Sequence, residues 1–252
     1  MSRIFSMPGD KNIPVIDKKS VADFFEKRAD KISTLGAMQA VIYQDKNPTL
    51  AASRNAAEKA KLLPLLRLNG SQRVLDVGCG TGRWASDLLP LSAWYHGIDA
   101  CEGLVIHARE KFTVAANARF TTAAADAFSL ELLNEHTLFD RILCIGVLMY
   151  LNDEDLVESI LCMAKVIRRG GLILLREPLG VVQRLTISEH YSEDMDQTYN
   201  AIYRTGGELL ALIKQAMPES DFKLVGRGDV YTDPALNNRS DTKQQWLLLE
   251  RT

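Results

Sequence analysis

The sequence predicts an α/β fold: a mostly parallel sheet with helices on both faces, closed by an antiparallel C-terminal hairpin. Three observations predict it. Between residues 73 and 176, short apolar runs alternate with helical stretches of about 10–15 residues, the pattern of strands joined by crossover helices. A glycine-rich turn, Gly78-Cys79-Gly80-Thr81-Gly82, follows directly on the first apolar run. The last two apolar runs, 222–227 and 244–250, have no helix between them, so they pair antiparallel.

The elements follow in order. The first ~20 residues mix Pro, Gly and charge and read as an irregular arm. From Lys18 the pattern turns helical, with Val21, Phe24, Phe25 and Arg28 on one face and Ser20 as a cap. A second helical stretch, 49–66, is rich in Ala, Lys and Leu, all strong helix formers. Then come a strand at 73–77, a helix at 83–89, a strand at 94–98 ending on Asp99, and a helix at 103–113. A weak strand at 118–124 precedes Asp126, and 139–147 reads as a buried strand. An amphipathic helix at 153–166 ends near Arg168-Arg169-Gly170-Gly171, where basic residues suit the negative helix end, and a strand at 171–176 follows. Residues 180–205 are polar and aromatic without a clean period; 208–217 is a helix.

The 252 residues allow one large core or two small ones, and 46% hydrophobic with 25% charged is ordinary for a globular chain. No apolar run approaches the ~20 residues of a membrane span, and the N-terminus lacks a signal-peptide core, so a cytoplasmic protein is expected. A formal net charge of −2 with no long Lys/Arg run argues against a nucleic-acid partner. Cys79, Cys101, Cys144 and Cys162 form no C-x-x-C pair, so no metal is expected and the thiols read as free.

The glycine turn carries the chemistry. Such a loop needs glycine because the turn is tight, the ligand lies against bare backbone, and the helix packs closely on the sheet. Asp99, 21 residues beyond Gly78, stands where an acid accepts both hydroxyls of a ribose. A dinucleotide fingerprint would need a third glycine at position 83, which is Arg83. Asp76, two residues before the first glycine, would repel a pyrophosphate and attract an ammonium group. A ribose with a cationic amino-acid end describes S-adenosylmethionine.

The runs V-L-D-V-G-C-G-T-G, G-I-D-A, A-A-D-A-F, F-D-R-I-L-C-I-G-V-L-M-Y-L and R-R-G-G-L-I-L-L-R-E, in that order over about residues 70–178, resemble the successive motifs of class I S-adenosylmethionine-dependent methyltransferases. The resemblance implies a Rossmann-like seven-stranded sheet with one antiparallel strand near its C-terminal edge. It also implies S-adenosylmethionine as cofactor and S-adenosylhomocysteine as product. On it, Asp76 and the backbone of Gly78, Cys79 and Gly80 would hold the methionine moiety. Asp99, beside Ala100, would accept the ribose hydroxyls. Asp126 would bond the adenine amino group with Ala127 and Phe128 flanking the ring. Cys144 and Ile145, with Gly146, would line the sulfonium end, although Cys144 also reads as simple core. An N-terminal segment folds over the cofactor in many relatives, which brings in Tyr43 and Arg54, the latter toward the methionine carboxylate.

Ligands of open α/β sheets bind beyond the carboxyl ends of the strands, so the acceptor is expected against 146–150, 176–179 and 180–205. His190 reads as a general base or as an exposed loop histidine. Tyr191, Tyr199, Tyr203 and Arg204 read as a pocket wall with an anion-binding guanidinium, or as ordinary packing. Arg176 and Glu177 read as substrate contacts or as a structural pair. Arg184 adds a further cation. Trp84 reads as packing more than as a substrate platform.

The domain organisation expected is a helical segment at 1–66 covering the active site and a cofactor-binding domain at 67–252, with the acceptor insert at 180–205. The function expected is methyl transfer to an O or N nucleophile of a small molecule, anionic acceptors included, in a bacterial natural-product or glycan pathway, by a monomer or homodimer. Two rivals stay open: a carrier-bound, polysaccharide, protein or RNA acceptor, and a non-catalytic cofactor-binding regulator. An Asn-Pro-Pro-Tyr-type motif is absent after the fourth strand, where Gly146-Val147-Leu148-Met149 stands, which counts against nucleobase or glutamine N-methylation.

Overall fold

A computed structural model describes residues 2–7, 10, 12–193, 195–237 and 239–252. In chain order the elements are β1 (Ser2–Ser6), α1 (Lys18–Asp30), α2 (Ile32–Leu35), α3 (Ala37–Ile42), α4 (Pro48–Leu62), β2 (Arg73–Val77), α5 (Ala85–Leu88), β3 (Trp94–Asp99), α6 (Glu102–Lys111) and β4 (Ala118–Thr122). There follow β5 (Phe139–Ile145), α7 (Asp153–Val166), β6 (Ile167–Gly180), β7 (Arg184–Ser192), β8 (Gln197–Tyr203), α8 (Gly206–Ala216), β9 (Phe222–Asp229) and β10 (Thr242–Arg251).

Seven strands form the main sheet in the order β4-β3-β2-β5-β6-β10-β9. The pairs β2/β3, β3/β4, β2/β5 and β5/β6 are parallel; β10 runs antiparallel to both β6 and β9. Connections leave β2 in one direction toward β3 and β4 and then return to its other side for β5. The crevice at the C-terminal ends of β2 and β5 is therefore the topological switch point, where such sheets bind ligands.

Alternation along each strand builds two cores. Leu75, Val77, Ile142 and Cys144 face α7 and α8, with Ile160, Met163, Leu209 and Ile213. Val74, Leu143, Leu172 and Leu174 face the other way, with Leu62, Trp84, Leu88 and Val105. Each fully buried aliphatic side chain is worth ~1.5–3 kcal/mol relative to exposure, so this two-sided burial holds the strand ends in register. The helices start on signals written in the chain. Asp17 accepts from Ser20 N at 2.7 Å, so the cap of α1 is Asp17 rather than Ser20. Asn47 caps α4 with Pro48 in its first turn, and Thr205 with Glu208 forms a capping box on α8.

Two expectations need correction. The stretch 180–205 is not irregular: β7 and β8 form an antiparallel hairpin whose outer partner is β1, making a three-stranded sheet. Residues 184–187 are all buried, and a bulge between Ile187 and His190 shifts the alternation, so the period is lost from the sequence. The helix after the glycine turn is also only Ala85–Leu88, because Pro90 ends it in a tighter turn. Among the described residues no helix is long and apolar enough to cross a membrane.

Candidate active site

A cavity of about 690 Å³ opens over the C-terminal ends of β2, β3, β5 and β6. Helices α1, α3 and α4 cover it from above, and β8 with the loop between β9 and β10 closes one side.

One end is built on the glycine turn. Gly78 has φ 74°, and a Cβ there would lie 2.2 Å from Val147 Cγ2, so the loop after β5 packs on bare backbone. Gly78 N and Cys79 N both donate to Ile98 O, Gly82 N donates to Cys79 O, and Gly80 N donates to Asp99 Oδ2 at 2.9 Å. These amides are spent internally and offer no cradle to a pyrophosphate. Asp99 Oδ1 accepts from Cys101 N at 2.9 Å. Each carboxylate oxygen of Asp99 thus holds one N–H and keeps acceptor capacity toward the cavity it lines. Burial pushes its pKa up, and the two backbone N–H groups oppose that shift. Ala100, Cys79, Ile145 and Asp126 line the same end. Lys18 Nζ lies 3.6 Å from Asp126 and 2.6 Å from Asp155, so the Asp126 carboxylate is partly engaged.

The middle is aromatic. Tyr43, held at φ 62° at the end of α3, packs with its ring centre 5.6 Å from that of Phe24. Its phenol shares a hydrogen bond with Tyr150, and burial lifts its pKa to about 12. Phe25 meets Tyr150 edge-on at 5.0 Å.

The far end is cationic. Glu58, 1% exposed, stands between two guanidinium groups: Arg83 Nη2 at 2.7 Å and Arg176 Nη2 in direct contact. Neither contact is aligned as a hydrogen bond, so both act as charge contacts. Burial pushes the Glu58 pKa up, and the two arginines together outweigh it and hold the carboxyl below its ordinary value. Arg54 Nε donates to Leu236 O at 2.8 Å, tying α4 to the loop before β10. Tyr199, Tyr203, Tyr231, Arg239 and Gln244 complete this end.

Of the residues expected at the site, Tyr43, Arg54, Gly78, Cys79, Gly80, Asp99, Ala100, Asp126, Ile145, Gly146, Arg176, Tyr199 and Tyr203 line the cavity. The structure does not bring the others there. Asp76 is 1% exposed and accepts from the Tyr95 hydroxyl at 2.7 Å behind the turn; burial raises its pKa to about 6. Cys144 and Phe128 belong to the core, and Ala127 is exposed outside the cavity. Arg204 points under the sheet edge. Its Nε donates to Asp153 Oδ1 at 2.7 Å, and its Nη atoms donate to Leu148 O and Leu151 O, so no donor fork is left for a substrate. Arg184 is spent on the same Asp153. His190 does not line the cavity; its ring meets Tyr199 edge-on, centres 5.8 Å apart. Tyr191 is 54% exposed and bonds Asp196. Glu177 accepts from Val147 N, Leu148 N and Met149 N at 3.0, 3.0 and 3.1 Å, so it orders the loop after β5.

Sequence reasoning missed Glu58, Tyr231, Arg239 and Gln244. Glu58 sits in a Lys- and Ala-rich helix that looks solvent-facing, and Arg239 sits in a polar loop; the only signal was their position beside strand ends. Among the described residues no histidine lines the cavity.

Residues 74–171 match the family described as "Methyltransferase domain". Phosphoethanolamine N-methyltransferase 1 of Zea mays is 25% identical over 185 residues, covering 72% of this chain and 35% of that protein. Glycine N-methyltransferase of Homo sapiens is 33% identical over 141 residues, covering 49% of this chain and 46% of that protein. The chain thus spans less than half the length of these relatives. Among solved structures, Haemonchus contortus phosphoethanolamine N-methyltransferase 1, in complex with phosphoethanolamine and S-adenosylhomocysteine, gives a TM-score of 0.67 at 21% identity, over 92% of this chain and 49% of that one. The DhpI–SAH complex gives 0.64 at 13% identity, over 93% and 96%. At these identities the structural likeness speaks for the fold, a Rossmann-like seven-stranded sheet.

Proposed function

We propose that this chain transfers a methyl group from S-adenosylmethionine to a small molecule, on the premise that residues 74–171 are a class I S-adenosylmethionine-dependent methyltransferase domain. The observation that carries the reading is the single cavity joining the Asp99 and glycine-turn end to the Arg239 and Tyr203 end across the switch point.

The residues present fit the cofactor. Asp99 has acceptor capacity for two ribose hydroxyls, and the turn offers bare backbone without a pyrophosphate cradle. Asp126 is available to the adenine amino group, and Arg83 or Arg54 to the methionine carboxylate. When bound, the cofactor supplies a methyl carbon made electrophilic by the adjacent sulfonium. The chain's own part is to align: a nucleophile held in line with that carbon gains up to ~7–11 kcal/mol from orientation. The aromatic group of Phe25, Tyr43 and Tyr150 supplies ring faces and a dry wall, which suit a cationic centre.

An amine favours this cavity over an alcohol. A neutral amine needs no strong base; among the described residues no histidine lines the cavity, and burial pushes the phenols of Tyr150 and Tyr203, like that of Tyr43, upward and away from neutrality. The relatives named above act, by their names, on phosphoethanolamine and glycine, both small amines with an anionic tail, and this supports the same class here. In this reading residues 1–66 are the covering segment, 67–252 the cofactor domain, and 180–205 the acceptor insert. The natural-product or glycan setting is kept as part of the proposal, supported only by the Tyr199 to Thr205 run.

The test is methyl transfer from labelled S-adenosylmethionine to a panel of small amines, including phosphoethanolamine and glycine. Labelled product and S-adenosylhomocysteine in equal amounts are expected. Binding of NAD in place of S-adenosylhomocysteine would refute the reading.

A further inference from the structure

The cationic end of the cavity holds more positive charge than the protein balances. Arg54, Arg83, Arg176 and Arg239 all line the cavity, with Glu58 the carboxylate between two of them. Arg54 and Arg239 form no ion pair among the described residues. Elsewhere the fold pairs such groups: Arg28 with Asp45, and Arg184 and Arg204 with Asp153.

Arg239 is held ready rather than satisfied. Its Nη2 donates to the Tyr199 hydroxyl, and its guanidinium carbon stands 5.5 Å from the centre of the Tyr203 ring. Its Nη1 is buried with no partner. The acidic group that acts on it, Asp241, pairs through Oδ2 with Arg3, and its Oδ1 has no hydrogen-bond partner. Gln244 Oε1 and Arg176 Nε, on the same cavity, are also buried without partners. A half-buried guanidinium with one buried, unpartnered nitrogen and no ion pair is under-satisfied, and an anion that pairs with it offsets that cost.

Resting on the methyl-transfer reading, we infer that Arg239, with Tyr199, Tyr203 and Arg54, forms a subsite for a phosphoryl group carried by the acceptor. The charge balance selects phosphoryl. A methionine carboxylate would take one cation of the four, and Glu58 offsets another, so about two positive charges remain for the acceptor. A phosphate monoester carries close to two negative charges and three acceptor oxygens, matched by a guanidinium fork and phenolic donors; a carboxylate brings one charge. Arg239 is then a specificity residue that holds the far end of the acceptor while its nucleophile reaches the methyl group.

The experiment is calorimetric titration of the full chain, saturated with S-adenosylhomocysteine, with inorganic phosphate and with acetate at matched ionic strength. Phosphate should bind more tightly than acetate. Arg239→Gln should weaken phosphate about tenfold or more, with S-adenosylhomocysteine affinity within about twofold of the parent. Arg239→Lys, which keeps the charge without the fork, should fall between. Equal phosphate affinity in parent and Arg239→Gln overturns the subsite, and acetate binding as tightly as phosphate overturns the phosphoryl assignment. Should Arg239→Gln fold poorly, Tyr203→Phe must weaken phosphate about threefold or more; no change overturns the proposal. If S-adenosylhomocysteine fails to bind the parent, the methyl-transfer reading falls alone, and the same phosphate comparison without it still decides the subsite.

Discussion

Replacing Asp99 with Ala removes the group on which the cofactor reading depends most. Asp99 Oδ2 accepts from Gly80 N and Oδ1 from Cys101 N, each at 2.9 Å, and each oxygen retains a lone pair toward the cavity. Two ribose hydroxyls donating to an ionised carboxylate are worth ~1.5–3 kcal/mol apiece. Their loss comes to ~3–6 kcal/mol, a fall in S-adenosylhomocysteine affinity of about two to four orders of magnitude. The backbone cost adds to this, because Gly80 N and Cys101 N lose their acceptor and the turn loosens. Asp99→Asn keeps one carbonyl oxygen and turns an NH2 toward the other N–H, so it should weaken binding at least about tenfold. Calorimetry with S-adenosylhomocysteine reads both variants, with circular dichroism confirming the fold. A double-mutant cycle isolates the hydroxyl contacts: 2′-deoxyadenosine should bind the parent more weakly than adenosine, and the two should converge on Asp99→Ala. An Asp99→Ala variant that folds and binds within about threefold of the parent would refute the ribose assignment. The pH sense follows from burial, which raises the Asp99 pKa. The ionised acceptor is lost as pH falls through that raised value, so affinity should decline on acidification and Asp99→Ala should not share the decline.

Gly78→Ala should abolish binding and lower stability by ~1–3 kcal/mol, since the added Cβ would meet Val147 Cγ2 at 2.2 Å on a residue with φ 74°; thermal unfolding and calorimetry check this. Glu58→Gln should destabilise the fold by ~3–5 kcal/mol, because Arg83 and Arg176 then face each other without their shared carboxylate; denaturant titration measures it, and a change under ~1 kcal/mol would mean the pair is not held as described. Glu177 has its pKa raised by burial from 4.5 to about 7, so the native chain binds more protons than the unfolded chain between those values. Stability should therefore fall as pH rises through that window, by up to about 3 kcal/mol. Glu177→Gln should remove this slope while leaving the part contributed by Asp76, whose value is raised to about 6.

The strand–helix alternation was legible because each strand of a two-sided sheet must be apolar over a short run, and the runs 73–77, 94–98 and 139–145 are. The glycine turn and Asp99 were legible because their roles depend on local backbone and a fixed spacing. Phe128 faces the core rather than the cavity, and Cys144 takes the core reading that stood open beside the ligand one: a residue one position away along a strand or turn changes face, and locality alone does not say which. Asp76 shows this most directly. Its position before the turn suggests a ligand contact, but strand alternation turns it toward Tyr95.

What the chain determines by itself is whatever rests on neighbours in sequence: the sheet, the turn, and the acid at the end of the next strand that closes on the turn. What the tertiary structure decides is which charges meet. Arg204 and Arg184 are consumed by Asp153 from another element, and Arg239, in the loop before β10, lines the cavity without an ion pair among the described residues. Ion pairing acts between groups brought together across space, so periodicity and spacing carry no record of it. The charge pattern of the cavity therefore became readable only once the elements were packed.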